Sequence, residues 1–156
     1  MEDKVEVIAF ESRYAKDFAS LNIEWLEKYF VVEPHDAELL QKCEETIIAK
    51  GGYIFFARIG NAIVGTFSLI KVADGVYELG KMAVSPKFQG RKIGQVLMEF
   101  CIAYAKEQGW RKILLYSNRI LKNAIHIYEK YGFKEVHLEE DSPYQRSNIK
   151  MKLSLS

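Results

Sequence analysis

Hydrophobic and polar positions change period several times along the chain, and each change marks an expected element. Residues 4–10 begin with polar/apolar alternation (Lys4, Val5, Glu6, Val7), which predicts a strand. From 13 to 30 the spacing turns helical, with Phe18, Leu21, Trp25, Leu26 and Tyr29 on one face. A second helix is expected from about His35 to Lys50, closed by Gly51-Gly52. Residues 53–59 and 62–72 are β-rich on either side of Gly60-Asn61, the pattern of a tight hairpin. Asp74-Gly75 is a second turn signal and puts an antiparallel strand at 76–85. Ser85-Pro86 ends that strand, because proline lacks an amide hydrogen and restricts the residue before it. Ile93, Leu97, Phe100 and Tyr104 then mark a long helix that closes at Gly109. Residues 111–117 form a short apolar strand. Leu121, Ala124, Ile125 and Tyr128 give another helical face, ended by Gly132, and strands are expected at 133–140 and 146–155. The predicted order is β-α-α-β-β-β-α-β-α-β-β. Antiparallel strands followed by a strand-loop-helix-strand crossover make a mixed α/β (α+β) sheet rather than a fully parallel one.

Composition narrows the function classes. A chain of 156 residues that is 49% hydrophobic and 28% charged is an ordinary globular one, and one domain over 1–156 is expected. Lys plus Arg is 22 and Asp plus Glu is 21, which argues against nucleic acid as a partner. Cys43 and Cys101 are too few for a disulfide framework, so a reduced, cytoplasmic location is expected. Both look like core positions on helices and argue little for a covalent route. Met1-Glu2-Asp3-Lys4 does not read as a secretory start, and no apolar run approaches a membrane span, so no membrane partner is expected. His35, His126 and His137 form no metal pattern, and no metal is expected; Glu44-Glu45 reads as a solvated helix face.

The chemistry-bearing segment is the junction from strand 76–85 through Lys87-Phe88-Gln89-Gly90-Arg91-Lys92-Ile93-Gly94 into a helix. A helix start offers amide hydrogens without intrahelical partners at a positive dipole end, and a preceding loop with small residues can cradle a diphosphate. The same segment can equally be a plain turn. A dinucleotide-binding turn does not fit, since the Gly-x-Gly-x-x-Gly spacing is absent and the strand lies in an antiparallel meander. A P-loop does not fit either, because no Gly-Lys-Ser/Thr follows.

Together with the residues around it, this junction resembles the GNAT N-acetyltransferases. The resemblance rests on Glu78-Leu79-Gly80-Lys81-Met82-Ala83-Val84-Ser85-Pro86, then Gln89-Gly90-Arg91-Lys92-Ile93-Gly94, then Asn118, Asn123, Ala124 and Tyr128-Glu129-Lys130-Tyr131-Gly132-Phe133. Gln89 and Gly94 match the family's Gln/Arg-x-x-Gly-x-Gly/Ala loop, and Lys92 occupies its first glycine. A negative φ is expected at Lys92, since a left-handed lysine would cost about 1–2 kcal/mol.

The resemblance implies an acetyl-CoA-dependent transfer to a primary amine of a small molecule or peptide, by direct attack in a ternary complex. Backbone groups of Met82 and Val84, with Ala83 between them, would pair with the donor's pantetheine arm, a β-augmentation by a cofactor. The amides of Gln89, Gly90, Arg91, Lys92, Ile93, Gly94 and Gln95 would hold its diphosphate. Asn118, Asn123, Tyr128 and Lys130 would line the cofactor's site, the two asparagines capping and holding its surroundings. Tyr128 sits where the family has its tyrosine acid, protonating the leaving thiolate; its spacing with Leu121, Ala124 and Ile125 also suits a core tyrosine. Glu78 is the expected base, working through water, or else a solvated or ion-paired strand residue.

On the acceptor side, the resemblance points to the first two helices and the last hairpin. Trp25, Tyr29, Phe30 and Glu33, with His35 and Asp36 beside them, would face Glu139, Glu140, Asp141, Tyr144 and Arg146. Aromatics plus carboxylates suit a cationic amine with an apolar portion; the aromatics could equally be core and the acids loop solubilisers. Arg146 could pair with a substrate carboxylate or with Glu140. A homodimer is left open. The rival reading is a non-catalytic acyl-CoA-binding sensor of the same fold.

Overall fold

In a computed structural model that describes residues 4–88 and 90–155, these elements assemble around one seven-stranded sheet. The strands are β1 (Val5–Ala9), β2 (Tyr53–Ile59), β3 (Ala62–Ala73), β4 (Val76–Val84), β5 (Lys112–Ser117), β6 (Lys134–Val136) and β7 (Ile149–Ser154). Their order across the sheet is β1-β2-β3-β4-β5-β7-β6, and β4–β5 is its parallel pair. The helices are α1 (Ala15–Tyr29), α2 (Pro34–Gln41), α3 (Ile93–Glu107) and α4 (Lys122–Lys130). The element order and the mixed sheet are those the sequence predicts.

Alternation along the strands builds two cores, one on each face. Phe18 and Leu26 of α1 and Leu39 and Leu40 of α2 bury against Ile54 and Phe56 of β2. On the other face Leu97, Met98 and Cys101 of α3 pack with Phe67, Leu69, Ile113, Leu115 and Met151. Gly65 lets α3 lie close to β3: a Cβ there would come within 3.2 Å of both Ile93 and Leu97. Both thiols are buried, and burial pushes Cys101 up to about 12. Neither is available as a nucleophile.

Three boundaries move, each for a local reason. Pro34, at the first helical turn, starts the second helix one residue early, and the rest of the expected 35–50 stretch is a π-helical turn at Glu44–Ile48. The expected strand 133–140 keeps only Lys134–Val136. The expected strand 146–155 begins at Ile149, because the amides of Gln145 and Arg146 donate to the Glu33 carboxylate at 2.9 and 3.2 Å instead of joining a ladder. Residues 137–148 therefore form a strap tied to the start of α2.

Candidate active site

The site begins with a fault in strand pairing. β4 and β5 share register only at Val76, Tyr77 and Glu78 against Lys112, Ile113 and Leu114. On its other edge β4 carries a bulge: Ser68 faces Gly80 and Thr66 faces Ala83, so Phe67 opposes both Lys81 and Met82. Lys81 takes φ +51°, a left-handed conformation costing about 1–2 kcal/mol for a non-glycine residue. A bulge bends its strand, and here β4 parts from β5. Beyond it, the Ser85 amide donates to the Val64 carbonyl at 2.8 Å. Antiparallel bonding alternates, so Ala83 bonds to Thr66 while Val84 turns its own N–H and C=O away from β3, into the gap.

The gap opens into a cleft of about 570 Å³. Its walls include Met82, Ala83, Val84 and Gly94 on one side and Ser117, Asn118, Asn123 and Tyr128 on the other, with Trp25, Tyr29, Phe30 and Arg146 toward one end. Tyr116, Ile120, Leu121, Lys122, Ala124 and Ile127 also line it, residues whose place the sequence did not disclose. The first turn of α3 has no side-chain cap, and a Cβ on Gly94 would meet nothing within 4 Å. A helix start of this kind, beside an open space and an unpaired strand edge, fits an extended ligand with a diphosphate. Asn118 ties the wall together: its Nδ2 donates to the Arg146 carbonyl at 2.6 Å and its Oδ1 accepts the Ile120 amide at 2.9 Å. Tyr128 packs on Phe133, and burial alone pushes its phenol up to about 12.

The side chains of some expected residues do not line the cleft, which leaves the part expected of their backbone amides untouched. Gln89 is outside the described residues. Ile93 is buried core, and Arg91 lies over the Phe88 ring. Gln95 does not line the cleft, nor does Lys130, whose ammonium lies over Tyr131. Lys92 is a correction: its φ is +57°, not negative, since the chain turns into α3 through the left-handed region after Gly90. Lys92→Gly should therefore raise stability by up to about 1 kcal/mol, read as a higher denaturant midpoint. A lower midpoint would mean that the lysine side chain contributes more than its backbone costs.

Behind the cleft lies a buried charge network that the sequence did not assemble. Asp36, fully buried, accepts from Lys81 Nζ at 2.7 Å, from Arg146 Nη1 and Nη2 at 2.6 and 2.9 Å, and from the Glu33 amide at 3.0 Å. Arg146 Nη1 also reaches Glu33 at 3.2 Å. Arg146 thus pairs with Asp36 and Glu33, not with Glu140. Tyr144, also buried, donates to Glu78 Oε2 at 3.2 Å and accepts from Lys81 at 3.3 Å. Neither Glu78 nor Tyr144 lines the cleft. Burial would raise Asp36, but Arg146 and Lys81 outweigh it and hold the carboxyl at about 2. Burial pulls Lys81 down against the pull of Asp36, and pushes Glu78 up against Lys81 and Tyr144. The sequence signals were a glutamate and a lysine, Glu78 and Lys81, in a largely apolar central strand, and an acid three residues into Glu33-Pro34-His35-Asp36.

Residues 19–133 match the model of the acetyltransferase (GNAT) family. The chain belongs to that family. It is 40% identical over 60 residues to an uncharacterized N-acetyltransferase of Methanocaldococcus jannaschii, a stretch covering 38% of this chain and 26% of that protein. The chain thus matches about a quarter of that relative's length. An acetyltransferase of the GNAT family from Staphylococcus aureus has the same fold, with a TM-score of 0.86 at 22% identity over 98% of this chain and all of that one. The PaiA N-acetyltransferase of Thermoplasma acidophilum, solved with coenzyme A, superposes with a TM-score of 0.76 at 17% identity, covering 97% and 99% of the two chains. Among the described residues, no group of three or more His, Cys, Asp or Glu is placed to hold a metal, and no helix is long and apolar enough to cross a membrane.

Proposed function

We propose that this chain is an acetyl-CoA-dependent N-acetyltransferase that moves an acetyl group directly to a primary amine of a small molecule or peptide. The observation that carries the reading is the parting of β4 from β5 beside the uncapped start of α3. Met82 and Val84 would offer strand hydrogen bonds to the pantetheine arm, and the α3 amides would hold the diphosphate. The amine attacks the thioester carbon, a C–N bond forms, and the C–S bond breaks. A backbone amide at the Lys81–Met82 bulge would stabilise the carbonyl oxygen as it gains charge. Tyr128 would give its proton to the departing thiolate. Glu78 would take the base role through water, since neither it nor Tyr144, which donates to its Oε2, lines the cleft.

The test has two parts. Acetyl-CoA should bind the wild-type protein, and Gly94→Val should weaken that binding at least about tenfold by filling the open space at the α3 start, with an unchanged melting temperature. A screen of amines, amino acids and peptides should release free thiol with at least one class. Binding without thiol release from any acceptor would favour the sensor reading, to which the sealed position of Glu78 already lends some weight.

A further inference from the structure

The expectation of a cationic acceptor rested on Glu33, Asp36, Glu139, Glu140 and Asp141; none of them lines the cleft, and the first three are paired elsewhere. Asp36 is saturated by Lys81, Arg146 and the Glu33 amide. Glu33 takes Arg146 and two strap amides. Glu78 accepts from Tyr144, and Glu139 from Lys150. Among the described residues that line the cleft there is no Asp or Glu, and the charged ones are Lys81, Lys122 and Arg146. A polyamine or lysine-like acceptor would bring a second positive charge to a wall that offers it no counter-ion.

Arg146 is the cation poised to read a ligand. Arg146 lines the cleft with its side chain 18% exposed and its guanidinium carbon beside the ring of Phe30, another cleft residue, whereas Asp36 behind it is fully buried and neither Asp36 nor Glu33 lines the cleft. The carboxylates fix its plane through Nη1 and one Nη2 hydrogen. The Nε–H and the second Nη2–H have no partner among the described residues, in the fork geometry that suits a carboxylate. Phe30 lies 6.0 Å from the guanidinium carbon, and Trp25 stands 5.8 Å from Phe30, so an apolar wall adjoins the charge. Tyr29, 41% exposed, extends that wall toward the solvent.

Resting on the transferase reading above, we propose that the acceptor is an amine that itself carries a carboxylate and an apolar body, in the manner of an apolar amino acid, with its carboxylate on Arg146 and its body against Trp25 and Phe30. The substrate amine then loses its proton and takes the acetyl group while its own carboxylate stays bound.

The experiment compares matched acceptors. L-phenylalanine, L-leucine and L-methionine are each set against the corresponding amide and decarboxylated amine, with spermidine as the dication, reading thiol release and acetylated product by mass. At least one amino acid should exceed its amide and amine at least tenfold in kcat/KM. Equal rates for acid and amide, or a preference for spermidine or the simple amines, would overturn the acceptor class and leave the transferase reading standing. Binding is read separately by titrating 3-phenylpropionate and 3-phenylpropionamide into the CoA-loaded protein. The acid should bind at least tenfold more tightly, and Arg146→Gln should erase that difference while CoA binding persists. An acid that binds no better than its amide would overturn the carboxylate site. Tight acid binding with no acetyl transfer to any amine would keep the site and reject the transferase.

Discussion

Tyr128→Phe should lower turnover by about a hundredfold or more while leaving acetyl-CoA affinity within a factor of two of wild type. The substitution deletes one hydroxyl and keeps the ring that packs on Phe133 at a centroid distance of 6.0 Å. No protein hydrogen bond to that hydroxyl is broken among the described residues, so the melting temperature should hold. Tyr128 stands on the α4 wall of the cleft, which Met82 and Val84 also line. Burial holds the phenol at about 12, so it stays protonated throughout the neutral range. The thiolate it would serve, with a free pKa near 8.5 if cysteine-like, is captured by that proton as it departs, which stops the reverse attack. The pH–rate profile should show no loss traceable to Tyr128 below about pH 11. Unchanged turnover in the variant would end the acid assignment and return Tyr128 to the core.

Asp36→Ala should destabilise the fold by about 3–5 kcal/mol, the scale seen when one member of a buried charge network is removed. Lys81 and Arg146 would lose their shared counter-ion, and the start of α2, the β4 bulge and the strap would lose their common tie. The folded carboxyl sits at about 2 against an ordinary 3.8, so the folded state takes up its proton less readily than the unfolded chain. Its contribution, on the order of 2 kcal/mol, is therefore complete above about pH 4 and is lost as the pH falls through about 2. Denaturant midpoints measured from pH 7 to pH 2 should show this acid limb in the wild type and a flatter one in Asp36→Asn. A loss below about 1 kcal/mol in Asp36→Ala would show that the network is dispensable.

What could be read from the linear chain was whatever depends on neighbours within one turn or one hairpin. Gly60-Asn61 and Asp74-Gly75 placed the meander because left-handed turn positions have local chemistry. The loop before Ile93 and the Tyr128–Phe133 segment were recognisable because both act through short stretches of chain. Lys92 shows the limit of that method: its residue type favours negative φ, yet the path from β4 into α3 forces the opposite. The resemblance suggested Glu78 as the base, but only the fold puts it behind Tyr144, 66 residues away.

By itself, then, the sequence determined the element order, the mixed sheet and the family, because hydrophobic period and turn chemistry are local properties. Only the tertiary structure decided which charges are spent and which are offered. Asp36 meets Lys81 across 45 residues and Arg146 across 110, and nothing in a linear pattern says which carboxylate will neutralise which cation. Burial then settles the sign of the cleft: the acids withdraw behind the cations they hold, and the wall that looked suited to a positive ligand is lined by Arg146 instead.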